Sequence, residues 1–262
     1  MKSSTVFLGE MTSPQVEAFL ADHDTVIVPV GSTEQHGPHG PLLTDAAIAT
    51  EVARRAAPRV DAVVAPTVNY GLSYPHSGFT GLVQVRIPTF MAMIEDLAAS
   101  LASAGFRRIV FLNGHYDNTY AIAYACANAA ERLPAGTRAF PINYWDGLTT
   151  DEAAEFFDPA TGLHANRGET SAMLVIDPDA VDMAKANVEF PPFPEVTNPA
   201  PVHTAFFFSA PGSVYRATRS GSWGDARQAT PEFGERYLAV CTESTVRVLD
   251  DIQRTFAAMP PR

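Results

Sequence analysis

The chain of 262 residues carries 18 basic and 29 acidic side chains, a net charge of −11, and 46% of its residues are apolar. That balance argues against nucleic acid or an anionic membrane as the main partner, since both are bound by cationic surfaces, and it suits a small neutral or cationic substrate. The apolar fraction supports one sizeable soluble core; no apolar run of about 18 residues is long enough to span a bilayer and no secretory leader opens the chain, so a cytoplasmic protein is expected.

A helix opens at Ser13, with that serine as N-cap and Pro14 in the first helical position, and ends before Asp22. Residues 25–30 are short, apolar and β-branched, and read as a buried strand. A helix follows from Asp45 to about Ala57, with Ile48 and Val52 on one face and Asp45 as its cap. Residues 61–65 form the next strand, and 66–78 is too rich in turn residues for regular structure, which marks a functional loop. Apolar residues at helical spacing run from Pro88 to about Ala104 and close on Gly105; strand 108–112 then ends at Asn113-Gly-His-Tyr-Asp-Asn118. Helix 119–132 stops before Pro134, residues 139–145 form a further strand, 168–176 reads as helix, and Pro231 to about Ala257 as a long terminal helix. This alternation specifies an α/β fold: a single domain over residues 1–262, with a mostly parallel central sheet flanked by helices on both faces. Residues 186–230, rich in Pro, Phe, Gly and Ser, carry little periodicity and read as an irregular excursion over the pocket or onto a neighbouring subunit, with Trp223 as an interface anchor or a lid. Cys126 and Cys241 fall in separate helices and are expected as buried thiols in a reducing compartment.

The chemistry is concentrated in residues 31–45, which bring Glu34, His36, His39 and Asp45 directly behind a strand. Glu34 and His36 stand two apart, so extended backbone aims both to one side, and the glycines and prolines that follow turn the chain so that Asp45 can return. The C-terminal end of a strand is where open α/β sheets bind ligands. Carboxylate and imidazole together suit zinc, manganese, iron or cobalt, and the absence of a nearby cysteine argues against a structural zinc site. Three further segments add donors: residues 113–118 with His115 and Asp117, Trp145-Asp146 after a strand, and residues 164–171 with His164 and Glu169.

These motifs, together with Tyr70-Gly-Leu-Ser, His76, Gly224-Asp225 and Ala229-Thr230, resemble the creatininase (creatinine amidohydrolase) family over most of the chain. The resemblance implies a hydrolase of carbon–nitrogen bonds in small cyclic or linear amides, creatinine or a related lactam among them. It implies two divalent metal ions, zinc or manganese with iron also admissible, and a homo-oligomer, commonly a hexamer. Asp45 would bridge the ions, Glu34 and His115 completing one shell and His36 and Asp117 the other. A hydroxide bridging the ions would attack the amide, with His164 as proton donor to the leaving amine.

Asp117 stands where creatininases carry glutamate, and a helix N-cap is its competing role. Glu169 is open between a ligand in its place, a partner that orients a ligating histidine, and an acid of a helix's first turn. Trp145 matches an aromatic that lines the creatininase pocket, and Tyr116, His76 and His39 are further candidates for substrate contact. A second tryptophan expected four residues before His164 is replaced by Ala160, which implies a larger, differently shaped pocket. Formamide deformylases and peptide-processing enzymes of the same family form the alternative reading. A non-catalytic binder of small molecules would have lost metal ligands, and here the set is nearly intact.

Overall fold

Four short runs pair in parallel at the centre of the molecule: β1 (Thr25–Val30), β2 (Ala62–Val64), β3 (Arg108–Asn113) and β4 (Arg138–Asn143), in the order β2-β1-β3-β4. The structure is a computed structural model that describes residues 5–158, 161–197 and 199–259. Helices α1 (Ser13–Leu20), α2 (Thr44–Ala56), α3 (Ile87–Ser103) and α4 (Thr119–Ala130) precede or separate these strands. After them come α5 (Thr150–Phe156), α6 (Arg167–Ile176), α7 (Pro199–Ser209), α8 (Ser213–Ala217) and α9 (Pro231–Ala258). A second, antiparallel sheet of order β5-β7-β6 is built from β5 (Gly162–His164), β6 (Val188–Glu189) and β7 (Trp223–Asp225).

Every residue of β1 is buried, as a strand covered on both faces requires. Alternate side chains serve opposite faces. Ile27, Val110 and Leu112 pack with Ile48 of α2, Met173 of α6 and Leu238 of α9. Val26, Ile109 and Phe111 pack with Phe90 and Ile94 of α3 and Ile122 of α4. The chain leaves β1 through α2 toward β2 on one side and returns through α3 to β3 on the other, so the strand order reverses between β1 and β3. Their C-terminal ends, where Val30 pairs with Asn113, therefore open the crevice in which such sheets hold ligands. Two glycines let α2 close on this crevice: a side chain at Gly31 would collide with the Ala46 backbone, and one at Gly114 would stand 2.7 Å from the Asp45 carbonyl oxygen.

Several boundaries differ from the sequence reading. Thr12 rather than Ser13 caps α1, its N–H donating to Gln15 Oε1 at 2.8 Å. Leu43 takes the N-cap position of α2, which puts Asp45 in the first turn instead of at the cap. Strand β4 ends at Asn143, so Trp145 lies in the following turn, half-buried and edge-on to Tyr144 with ring centroids 4.8 Å apart. The stretch 186–230 is more regular than its composition suggests, since it contributes α7, α8 and two strands. Trp223 is 8% exposed there, packed among Phe193, Phe207 and His203. Cys126 and Cys241 are free and buried, as expected, while Ala160 lies outside the described residues.

Candidate metal centre

Four segments of the chain deliver the donor side chains to one buried point. The loop after β1 supplies Glu34 and His36, the first turn of α2 supplies Asp45, the segment after β3 supplies His115, and β5 with the start of α6 supplies His164 and Glu169. Asn166 caps α6 by accepting from the Glu169 N–H at 3.0 Å, and Glu169 Oε2 reaches back to accept from the Ala165 N–H at 2.6 Å. The turn between His164 and Glu169 passes through Ala165 at φ 49°, a left-handed conformation costing a non-glycine residue on the order of 1–3 kcal/mol. The Glu169 carboxylate holds that turn.

Asp45 is the centre of the arrangement. Its Oδ1 lies 3.1 Å from His36 Nε2 and its Oδ2 lies 2.8 Å from His115 Nδ1, one imidazole per oxygen. Ser32 Oγ also donates to Oδ2 at 2.7 Å. The far nitrogen of each ring faces a backbone carbonyl: His115 Nε2 lies 2.5 Å from Leu72 O, and His36 Nδ1 lies 3.3 Å from Glu34 O. With those nitrogens as donors, the ones facing Asp45 present lone pairs, the arrangement by which a protein orients histidines toward a metal. Lone pairs of ring and carboxylate 2.8–3.1 Å apart need a positive charge between them.

The remaining geometry is that of a cation site. Among the described residues three donor sets each have ligand atoms within 4.8 Å of one another: Glu34, Asp45 and His115; His36, Asp45 and Glu169; Glu34, His36 and His164. Glu34 is 0% exposed, yet among the described residues neither of its carboxylate oxygens has a hydrogen-bond partner, and Asp117 Oδ2 is equally unpartnered. A buried charge without compensation costs several kcal/mol, so the donor chemistry fits bound divalent ions. Asp117 joins none of the sets; its Oδ2 stands 3.8 Å from His115 Nε2. Glu169 has the reach to join His36 and Asp45 where Asp117 does not.

Electrostatics of the metal-free chain agree. Burial pushes the Glu34 carboxyl up to about 8, Glu169 up to about 7 and Asp117 up to about 6. Burial opposes the charge on His36, but the Asp45 carboxylate outweighs it and raises the ring to about 9; His115 is raised well above its ordinary value against the same opposition, by Glu34 and Asp45. Asp45 resists burial through these two rings and is held well below the ordinary carboxylate range. Protons on His36 and His115 thus occupy the places a cation would take.

The other candidate residues divide. His164 and His76 sit against the site: their rings are 4.5 Å apart, and His76 Nε2 lies 3.3 Å from Glu34 Oε1. Burial drives His76 down to about 3 and His164 well below its ordinary value, so both rings are neutral. His39 is buried in the small cavity it lines with His36 and Glu169, its Nε2 3.0 Å from Thr170 Oγ1, and burial lowers it to about 4. Tyr116 is 49% exposed at the rim. The loop 66–78 acts through its backbone: Leu72 O orients His115, and the Leu72 N–H donates to Asn118 Oδ1 at 2.9 Å. Ser32, Gln35 and Asn118 were not singled out from the sequence, although all three stand inside its two strongest motifs, 31–45 and 113–118.

A buried carboxylate flanked by two oriented imidazoles, at the switch point of a parallel sheet, defines the class of metal-centred α/β hydrolases. The creatininase family model, described as creatinine amidohydrolase, matches residues 9–249, and the chain belongs to that family. It is 33% identical to the creatinine amidohydrolase of Pseudomonas putida over 97% of this chain and 98% of that one. It is also 36% identical to the mycofactocin precursor peptide peptidase of Mycolicibacterium smegmatis over 88% of this chain and 85% of that one. A crystal structure of creatinine amidohydrolase superposes with a TM-score of 0.79 at 30% identity, covering 99% of this chain and 100% of the other. The chain is a hydrolase of carbon–nitrogen bonds on an α/β fold with a parallel four-stranded sheet.

Proposed function

We propose that the chain is a dinuclear amidohydrolase that opens a small cyclic amide or cleaves a small linear one. The observation that carries this reading is the Asp45 carboxylate with one oriented imidazole on each oxygen. Glu34, Asp45 and His115 would hold one ion, and His36, Asp45 and Glu169 the other. Zinc and manganese are the favoured ions, in keeping with solved creatininases that include a manganese form and a zinc–zinc form of a variant. When bound, two such ions lower the pKa of a coordinated water toward neutrality and polarise an amide carbonyl.

The chain's own contribution is proton handling and enclosure. An amide expels a poor leaving group, so its nitrogen must be protonated as the bond breaks. His164 is neutral, its Nδ1 lies 3.7 Å from Glu34 Oε1, and its ring packs 4.4 Å from that of His36. It is therefore placed to take a proton at Nδ1 and pass it to the amine, a role worth about 10²–10⁴-fold in rate. Burial of Glu34, His36 and His115 excludes bulk water and strengthens each of these interactions.

The peptidase relative supports a second reading, in which the amide belongs to a short peptide. Elemental analysis after metal reconstitution, run beside amine or ring-opened product release from creatinine, hydantoins, lactams, formamides and short peptides, separates the two. Two metal ions per chain with turnover of a ring amide is the expected result. Cleavage confined to peptides selects the second reading, and no bound metal removes both. A cytoplasmic homohexamer is the proposed setting. Two buried free thiols and the exposed Tyr120, Tyr124 and Phe208 support it, and sedimentation measures the subunit count. Among the described residues no helix is long and apolar enough to cross a membrane.

A further inference from the structure

Gln35 lies between Glu34 and His36, yet its side chain points away from Asp45 into a separate buried network. It is 6% exposed. Its Oε1 accepts from the Gly37 N–H at 2.8 Å, and its Nε2 lies 3.1 Å from Gly221 O, 2.8 Å from His76 Nδ1 and 3.0 Å from His164 Nε2. This orientation of the amide is the only one its surroundings accept. Reversed, Oε1 would face the Gly221 carbonyl and the amide nitrogen would face the Gly37 N–H, losing both bonds. Gly221 is built around it: at φ +87°, any side chain there would collide with the Gln35 amide.

The hydrogen count then places the protons. His164 Nε2 lies 2.8 Å from the Gln35 backbone carbonyl, which can only accept, so Nε2 of that ring is the donor. A ring nitrogen that donates to the carbonyl cannot also accept from the amide. The two amide hydrogens of Gln35 therefore go to Gly221 O and to His76 Nδ1, which must be the unprotonated nitrogen of that ring. His76 then carries its proton on Nε2, which lies 3.3 Å from Glu34 Oε1, and Nδ1 of His164 lies 3.7 Å from the same oxygen.

We propose that Gln35 is a positioning residue that sets the proton on both histidines, its side-chain amide fixing His76 as the Nε2–H tautomer and its backbone carbonyl holding the Nε2–H of His164. The inference deepens the reading of His164 as the proton carrier and rests on it for its catalytic meaning. It makes Nδ1 of His164 the atom that first accepts and then returns a proton.

The test uses metal-free protein, so it does not depend on amidohydrolase activity. Long-range ¹H–¹⁵N correlation spectra of ¹⁵N-histidine-labelled chain resolve which nitrogen of each of the seven rings bears hydrogen. His76→Asn and His164→Asn assign the signals. Wild-type chain is expected to show hydrogen on Nε2 alone for both residues. Gln35→Glu replaces the amide donor by an acceptor of the same shape, and is expected to move the His76 proton to Nδ1 while His164 keeps its own on Nε2. Hydrogen on Nδ1 of either ring in wild-type chain overturns the proposal, whatever the variant does, and so does a His76 proton that stays in place in folded Gln35→Glu. Correct tautomers in a chain that binds no metal and cleaves no amide would sink the proposed function and leave this assignment standing.

Discussion

Among the described residues the Glu169 carboxylate comes within ligand reach of His36 and Asp45, and that of Asp117 does not. Asp117 is anchored in the short 3-10 turn Tyr116–Asn118, whereas Glu169 is swung in by the left-handed turn at Ala165. Glu169→Gln is therefore expected to lose about one equivalent of metal, and Asp117→Asn to retain both; elemental analysis reads this directly, and the opposite pattern would return the ligand role to Asp117. His164→Asn has another signature: turnover falls by about 10²–10⁴-fold while metal content stays near wild type, and a parallel loss of metal would make it a ligand. Protonation gives a third test. Without metal, His36 keeps its proton up to about pH 9 and Glu34 up to about pH 8, and a cation must displace both. Binding at pH 7 should release protons, and apparent affinity should rise with pH until those values are passed. Calorimetry in buffers of different ionisation enthalpy measures the release; a proton count of zero would contradict the arrangement around Asp45.

Among the elements, α9 shows how secondary structure far from the donor side chains holds them in place. Thr230 caps that helix by accepting from the Phe233 N–H at 3.1 Å, and its own N–H donates to Ser171 Oγ of α6 at 3.1 Å. One residue thus ties the longest helix to the one that carries Glu169. Thr230→Ala should cost about 1 kcal/mol, a fall of roughly 2–4 °C in Tm for a chain of this size; an unchanged Tm would mean that packing of Phe233 alone holds the helix start. The same helix was legible in the sequence because Thr230-Pro231 precedes a long amphipathic run, and β1 because its six residues are β-branched or apolar throughout. The small sheet was not legible. Its strands have two or three residues, and Gly162 pairs with Gly224 across a register shift, so nothing local in the sequence signals a structure made only by tertiary contact. Within the site the motif 31–45 announced Glu34, His36 and Asp45, but the reach of Glu169 and the lodging of Gln35 depend on where distant segments come to rest.

For the whole molecule, the division between core and site determines what metal removal does. The two apolar clusters lie on opposite faces of the central sheet and include none of the donor side chains. Hydrophobic burial therefore sustains the fold whether or not ions are present. The site works against that stability when empty, because the buried Glu34 and Glu169 carboxyls and the rings of His36 and His115 then rely on shared protons. A cation that binds only the folded chain adds about 2.7 kcal/mol when free metal is 100 times its Kd. At roughly 2–4 °C per kcal/mol that is a gain on the order of 5–10 °C in Tm. Chelation should accordingly lower Tm by this amount while the far-ultraviolet circular dichroism at 25 °C stays that of the loaded protein, and returning zinc or manganese should restore it. Unfolding on chelation would show that the ions hold the fold itself, and a Tm indifferent to metal would mean that the buried donors bind none.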